Sequence, residues 1–211
     1  MKMEDAHAAA VMPELAHAPM EALRAAVAKR DSFSLSDLDA LRSALSSSSV
    51  PVYESASYIA ADAASYDTRA VDLIVDLSRN SRAHVRRNAI ICIDVRTPRD
   101  VALDMVGRGL VDKSGLVRTK AADWLYRLEL RAALPMLERA LASERVAAVL
   151  RTMEFGYYLL RDGYLLGNEI NGKVYVTVHR DGGGTLGTFI DLARVAEQGI
   201  ERVAADLRRK P

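Results

Sequence analysis

Apolar residues recur along much of the chain at the spacing of one helix face, and one such helix is repeated. The segment 81–89 returns in modified form at 114–122, each time with a Val-Arg pair after its first residues. In the second copy, Val117 and Ala121 fall at i and i+4, and Trp124 at i+7 continues the same stripe. This spacing predicts an amphipathic helix that buries its Val-Ala-Trp face.

The repeated helix has a regular period. Arg86, Arg118 and Arg151 are 32 and then 33 residues apart, although the third copy is weaker. A unit of two helices joined by short turns has about this length, so the period predicts stacked helical pairs. We therefore predict a mainly α fold, a short α-solenoid of about four helical pairs over residues 19–162.

The pattern changes after residue 162. Three runs rich in alternating or β-branched residues predict strands: 165–169, 173–180 and 185–190. Asn171 and Gly172 lie between the first two runs and predict a two-residue hairpin turn. A helix from about 191 to 209 follows. We expect this β-meander and helix, residues 163–211, to cap the apolar end of the helical pairs.

Composition places the chain among ordinary globular proteins. Half of its 211 residues are apolar and 27% are charged. The first 18 residues show no period and are expected to be flexible. No apolar run reaches the roughly 18 residues of a membrane span, and the acidic start does not resemble a secretory signal. With Cys92 as the single cysteine, no internal disulfide can form, so a cytoplasmic location is expected.

The net charge of +1 hides an uneven distribution. Residues 1–78 hold 6 Lys and Arg against 12 Asp and Glu, whereas residues 79–162 hold 16 against 10. Residues 163–211 hold 7 against 6. A basic middle segment favours an acidic partner, which is either another molecule or the acidic N-terminal part of the chain.

The two clear copies resemble HEAT and HEAT-like repeats. That family has an Asp in the turn between two helices, a Val-Arg pair five and six residues later, and small residues in the second helix. The matching residues of the second copy are Asp112, Val117, Arg118, Ala121 and Ala122. Those of the first copy are Asn80 in the Asp position, then Val85, Arg86 and Ala89. The resemblance covers residues 67–161 well and 34–66 weakly. It implies a helical-repeat fold with a binding surface rather than a particular activity.

In HEAT-like repeats the arginine tends to pair with the turn Asp and with backbone carbonyls between repeats. The resemblance therefore implies a structural role for Arg86, Arg118 and Arg151, with Asp112 as the acceptor for Arg118. The alternative is a ladder of arginines that binds phosphates or carboxylates.

Better candidates for binding lie on the opposite stripe of the second helices. Lys120, Asp123 and Arg127 share a face at i, i+3 and i+7, which we predict to lie away from Trp124. Arginine and tyrosine are also side chains that interfaces favour. The predicted binding residues are Arg87, Asn88, Lys120, Asp123, Arg127, Tyr158 and Arg161. The alternative is a solvated charged face without a partner.

No catalytic motif, cofactor site or metal site is predicted. Residues 182–187 match G-x-G-x-x-G, but a dinucleotide site needs a helix directly after these glycines, whereas a strand is predicted there. We therefore predict a glycine-rich turn at 181–184. The four histidines are widely separated. Cys92 falls on an apolar stripe, which predicts a small buried side chain rather than a reactive thiol.

Two classes of function fit this sequence. The first is a non-enzymatic protein–protein interaction module, an adaptor or scaffold that uses the surface of its stacked second helices to bind a protein with an acidic surface. An inhibitor or immunity-type protein that binds a toxin fits the same features. The second is a nucleic-acid-binding protein of the HEAT-like DNA glycosylase kind. The basic middle segment favours this class, and the near-neutral total charge disfavours it.

Overall fold

The computed structural model describes residues 20–180 and 184–209. The segment 1–18, predicted to be flexible, and most of the predicted turn at 181–184 therefore lie outside the described residues. The described helices are α1 (20–29), α2 (Leu35–Leu45), α3 (Val50–Ala63), α4 (Thr68–Leu77), α5 (Ala83–Ile91), α6 (Arg99–Leu110), α7 (Gly115–Arg127), α8 (Leu134–Ser143), α9 (Ala147–Arg161), α10 (Leu192–Gln198) and α11 (Ile200–Arg208). The strands are β1 (Tyr164–Ile170), β2 (Lys173–His179) and β3 (Thr185–Asp191). The chain divides into two compact units, the first ending at Met105 and the second beginning at Val106.

Two helices of the first unit begin at short polar side chains that cap them. The Ser34 hydroxyl accepts the backbone N–H of Asp37 at 3.2 Å, and the Asp37 carboxylate accepts that of Ser34 at 2.8 Å. This reciprocal pair is a capping box at the start of α2. The Asp67 carboxylate caps α4 through the N–H of Arg69 at 3.0 Å. The same carboxylate accepts the backbone N–H of Phe33 at 3.0 Å. This hydrogen bond connects the segment before α2 to the start of α4.

The apolar stripe predicted for α5 is buried in the core of the first unit. Val85 and Ala89 are completely inaccessible to solvent, and so is Cys92, directly after the helix. Because apolar burial stabilises a fold by roughly 25 cal/mol per Å², this stripe holds α5 in place. The prediction that Cys92 is a small core residue is confirmed.

In the second unit, helices α7 and α9 pack closely because a glycine lies between them. A Cβ atom on Gly156 would lie 3.2 Å from the carbonyl oxygen of Ala122 and 3.5 Å from the Tyr126 ring. A larger side chain would therefore push the two helices apart. Val117 and Ala121 of α7 are buried, which confirms this part of the predicted stripe.

The three strands form an antiparallel sheet in the order β1-β2-β3. Asn171 and Gly172 have φ values of +52° and +73°, the left-handed conformation that a type I′ hairpin requires, so the predicted turn is confirmed. The inner face of β2 packs against α11. Its buried cluster includes Val174, Val176, Val178, Ile190, Val203, Ala204 and Leu207.

Two helix ends differ from the sequence prediction. The single helix expected at 191–209 is divided into α10 and α11 at Gly199, whose φ of +79° is incompatible with a continuous right-handed helix. The sequence also predicts a helix that begins at Thr97 and Pro98 and ends at Gly109, whereas α6 continues to Leu110. Glycine lowers helix propensity, but the buried Val106 and Leu110 of α6 offset that cost through packing.

The predicted class is confirmed. The described chain is mainly helical, with a small three-stranded antiparallel sheet followed by C-terminal helices. Among the described residues, no helix combines the length and the apolar character needed to cross a membrane.

Candidate binding surface on helices α7 and α9

The arginine of the second repeat copy is a structural joint in the second unit. Arg118 donates through Nε and Nη2 to the Glu144 carboxylate at 2.6 and 3.0 Å. It also donates through Nη1 to the carbonyl oxygen of Asp112 at 2.8 Å. The expected partner was the Asp112 carboxylate, which instead accepts the backbone N–H of Ser114 at 2.8 Å. Glu144, at the end of α8, is close enough to take that place, and this corrects the expectation.

Glu144 is held as a carboxylate by this arrangement. The hydrogen bond from Arg118 lowers its pKa to about 2, against the opposing effect of burial and with the help of the backbone N–H groups of Val146 and Arg145. The same pair raises the pKa of Arg118. Because both charged groups are occupied by each other and by the turn, Arg118 is not available as a phosphate ligand.

The other two arginines of the repeat differ from Arg118 and from each other. Arg86 is buried and donates through Nη1 to the carbonyl oxygens of Asn80 and Ser81, both at 2.8 Å. Arg151 is exposed. The structural role implied for Arg86 and Arg118 is supported by these contacts, and the arginine-ladder alternative is not.

The predicted binding residues of the first unit have internal roles. Asn88 is completely buried, and its amide donates to the carbonyl oxygens of Leu45 at 2.9 Å and Ser47 at 3.1 Å. Arg87 donates to the Asn88 side chain at 2.7 Å and lies over the Tyr53 ring, 4.5 Å from its centroid. The prediction of an exposed Asn88 is therefore corrected, because the end of α2 and the turn after it need its amide as a donor.

Three of the predicted binding residues of the second unit meet at one carboxylate. Asp123 accepts the Tyr126 hydroxyl at 2.8 Å, Arg127 Nε at 3.0 Å and Lys120 Nζ at 3.4 Å. Burial raises the pKa of Asp123, but the bonds from Tyr126 and Arg127 outweigh it, so that the pKa lies below its usual range. Burial, together with the bond to Asp123, raises the pKa of Tyr126 to about 12. Asp123 is therefore an ionised centre that fixes two cations.

Both of those cations lie over Trp124. Lys120 Nζ is 4.7 Å and Arg127 Cζ is 5.5 Å from the indole centroid. Trp124 is only partly buried, so it does not complete the core stripe, and the charged face does not lie away from it as predicted. The i−4 and i+3 spacing of Lys120 and Arg127 brings them to the same side of the helix. We call Lys120, Asp123, Trp124, Tyr126 and Arg127 the α7 cluster.

The remaining predicted residues, Tyr158 and Arg161, belong to a second group, the α9 cluster, together with Tyr157 and Asp162. Arg161 Cζ lies 5.0 Å from the Tyr157 centroid and 5.1 Å from that of Tyr158. Its Nε and Nη2 atoms each donate to Asp162 at 2.7 Å, and this pair raises the pKa of Arg161. Tyr158 is 40% exposed. The structure thus divides the predicted residues of the second unit into two groups.

The two groups lie on helices that contact each other. Tyr126 of the α7 cluster meets Phe155 of α9 edge to face, with ring centroids 5.2 Å apart. Phe155 precedes the α9 cluster by less than one helical turn. A partner that reaches along this helix pair would find aromatic rings and guanidinium groups, which are the side chains that dominate interface energetics.

The described residues give little support for a metal site, a reactive thiol or a dinucleotide site. No group of three His, Cys, Asp or Glu among them is placed to hold a metal ion. Burial raises the pKa of the Cys92 thiol, which disfavours its reactive thiolate form. The residues that follow the glycine-rich run form strand β3, as predicted, so no helix N-terminus is present there for a dinucleotide.

Comparison with known proteins does not identify a family. No family model and no curated protein matches the chain. Among solved structures, the chain is similar to an engineered protein studied by the Northeast Structural Genomics Consortium. The identity is 16%, the match covers 69% of this chain and 68% of the other, and the TM-score is 0.38. A similarity at that level carries no argument about fold or function.

Proposed function

We propose that the chain is a non-enzymatic protein-binding module of HEAT-like repeats, and that the α7 cluster is its main contact surface. The observation that carries this proposal is the pair of cations, Lys120 and Arg127, held over the partly exposed Trp124 by a shared carboxylate. The partner expected for such a surface is a protein with acidic side chains at the contact.

The α7 cluster suits binding because its cations are already in place. A long charged side chain loses roughly 0.5–1.5 kcal/mol of entropy when a partner immobilises it. Asp123 and the Trp124 ring hold both cations before any partner arrives, so that cost is smaller here. The Arg127 side chain is 56% exposed, which leaves it accessible to a carboxylate on the partner.

The α9 cluster extends the same proposal. Tyr158 and Arg161 are both accessible, and tyrosine and arginine are enriched among residues that contribute most to binding. An adaptor and an inhibitor that covers a toxin would both use such a surface. The identity of the bound protein separates these two roles.

Affinity capture from the source cells with two sets of variants tests the proposal. Lys120→Gln/Arg127→Gln removes both cations without adding negative charge beside Asp123, and Trp124→Ala removes the ring beneath them. The matched control, Arg79→Gln/Arg82→Gln, removes two positive charges from exposed positions of the first unit. All variants are checked for unchanged helicity by circular dichroism.

We expect one protein to be retained by the wild type and the control and lost with both α7 variants. Its capture should also weaken as salt rises, because the contact depends on charge. A partner that stays bound to both α7 variants with unchanged helicity would refute the assignment of this surface.

Nucleic-acid binding is the second candidate, and the excess of basic residues over 79–162 favours it. Binding through phosphate contacts weakens steeply between about 50 mM and about 200 mM salt. Fluorescence polarisation with labelled duplex DNA at these two concentrations distinguishes the candidates. Binding at low salt that disappears at high salt would support this function, and no binding at low salt would eliminate it.

A further inference from the structure

A small cavity of about 70 Å³ in the second unit has three arginines among its lining residues. It lies where the chain leaves α7, near the end of α9, the end of β2 and the last turn of α11. It is lined by Arg131, Arg180 and Arg208, by Glu129 and His179, and by the apolar residues Leu159, Leu160 and Gly163. Among the described lining residues, three arginines therefore accompany one carboxylate.

The carboxylate in the cavity already has a partner. Glu129 lies 2.8 Å from His179 Nδ1, and the other ring nitrogen of His179 is 3.0 Å from the carbonyl oxygen of Tyr126. A carbonyl can only accept, so Nε2 of His179 carries a proton. Among the described lining residues the three arginines outnumber this carboxylate, so the lining is rich in positive charge.

The Arg208 guanidinium lies against Gly163 at the cavity. Its Nη2 atom donates to the carbonyl oxygen of Asp162 at 3.0 Å. A Cβ atom on Gly163 would lie only 1.9 Å from that Nη2, so the glycine is required for the guanidinium to reach its place. The Nε atom of Arg208 is buried and has no hydrogen-bond acceptor among the described residues. Buried N–H groups almost always have a partner, so this atom is the strongest candidate donor for a bound anion.

From this geometry we propose that the cavity binds a small oxyanion of the phosphate class. Its volume of about 70 Å³ is somewhat more than twice the roughly 30 Å³ that a water molecule occupies in the liquid, so only a small ligand fits. Guanidinium groups bind such oxyanions through paired N–H donors, and three of them line this space. The site includes no residue of the α7 or α9 cluster, so its test is independent of the protein-binding proposal.

Calorimetric titration of the full chain with sodium phosphate, against sodium chloride of equal ionic strength, tests this site. Arg131→Gln is the main variant because its side chain is exposed and the substitution is expected to leave the fold intact. Arg208→Lys is the second variant, since it keeps the charge but loses the Nε donor. Arg139→Gln on α8 removes the same charge from an exposed position outside the cavity lining and is the matched control.

We expect phosphate to bind the wild type and the Arg139 control equally, and to bind each of the other two variants about tenfold more weakly. Repeating the titration with phosphoserine distinguishes the source of the anion. Binding of phosphoserine indicates that a phosphate monoester enters, and binding of inorganic phosphate alone indicates the free ion. The proposal is overturned if neither compound binds the wild type, or if both variants bind as tightly as the control.

Discussion

Helix α5 of the first unit and helix α7 of the second carry the same Val-Arg pair, and each arginine donates to the turn before its own helix. Arg86 of α5 donates to two carbonyl oxygens of the turn before its own helix. Arg118 of α7 donates to one such carbonyl and to the Glu144 carboxylate from the end of α8. Both arginines therefore fix the turn before their own helix, and Arg118 also joins α7 to the end of α8.

The two helices differ more at the positions that follow. Asn88 of α5 corresponds to Lys120 of α7, and Cys92 corresponds to Trp124, each pair being 32 residues apart. Asn88 and Cys92 are completely buried, whereas Lys120 and Trp124 are partly exposed and contact each other. The repeat pattern thus buries the Val and Ala positions in both helices. The positions of Asn88 and Cys92 are buried in α5, whereas the corresponding positions in α7 are partly exposed.

The largest effect is expected where the two helices agree. Val85 and Val117 are fully or almost fully buried, so Val85→Asp or Val117→Asp places an unpaired charge in a core. Each should destabilise its own unit by more than about 4 kcal/mol. Leu116, the neighbour of Val117, is 49% exposed, and Leu116→Asp is the matched control. Urea unfolding followed by circular dichroism measures both, and equal stability of Val117→Asp and Leu116→Asp would contradict the predicted burial.

Both arginines should contribute to stability. Arg118→Ala leaves Glu144 as an uncompensated charge with only 3% of its side chain exposed, and breaking such a pair costs about 3–5 kcal/mol. Arg86→Ala leaves the carbonyl groups of Asn80 and Ser81 without this charged donor, and a hydrogen bond to a charged group contributes about 1.5–3 kcal/mol. Urea unfolding midpoints measure both losses. An Arg118→Ala variant as stable as the wild type would show that the Glu144 ion pair contributes little.

The Arg118 joint should also lose stability in acid. The pKa of Glu144 is lowered from 4.5 to about 2 in the folded chain. A carboxyl with a depressed folded pKa contributes its full stability above the unfolded pKa and loses it as pH falls towards the folded one. The contribution should therefore be complete above about pH 5 and decrease below it, by roughly 3 kcal/mol in total.

Comparison of the wild type with Glu144→Gln isolates this contribution from other carboxyls. Unfolding in urea is measured from about pH 6 down to about pH 3. The stability difference between the two proteins should shrink as the pH falls. A difference that stays constant over this range would mean that Glu144 does not titrate with a depressed pKa.

The features that follow from local periodicity were predictable from the sequence. Alternation and the Asn-Gly pair predicted the strands and the I′ turn, because both depend on residues adjacent in the chain. The same holds for Val85, Val117 and Cys92, whose spacing places them on one face. These predictions required no knowledge of which elements meet in space.

The candidate site was predicted only in part, because its details depend on distant neighbours. Lys120 and Arg127 were identified, but Trp124 between them was expected in the core, since helical spacing alone does not show which side of an amphipathic boundary a large ring takes. Lys120 and Arg127 stand four residues before and three residues after Trp124, and this spacing could have predicted that both cations lie over its ring. The pairing of Arg118 with Glu144 spans 26 residues, and no local pattern indicates it.

The smallest effect tests the claim that Asn88 and Lys120 occupy equivalent positions with opposite roles. Asn88→Ala leaves the carbonyl oxygens of Leu45 and Ser47 without their donor in a buried place, so we expect a loss of about 1–3 kcal/mol. Lys120→Gln removes a partly exposed cation 3.4 Å from Asp123, and exposed pairs of this kind contribute about 0.2–1 kcal/mol. In the capture experiment the order reverses, because Lys120→Gln should weaken the partner and Asn88→Ala should not. If the variant that loses more stability also lost more of the partner, Asn88 and Lys120 would not have the separate packing and binding roles that their contacts indicate.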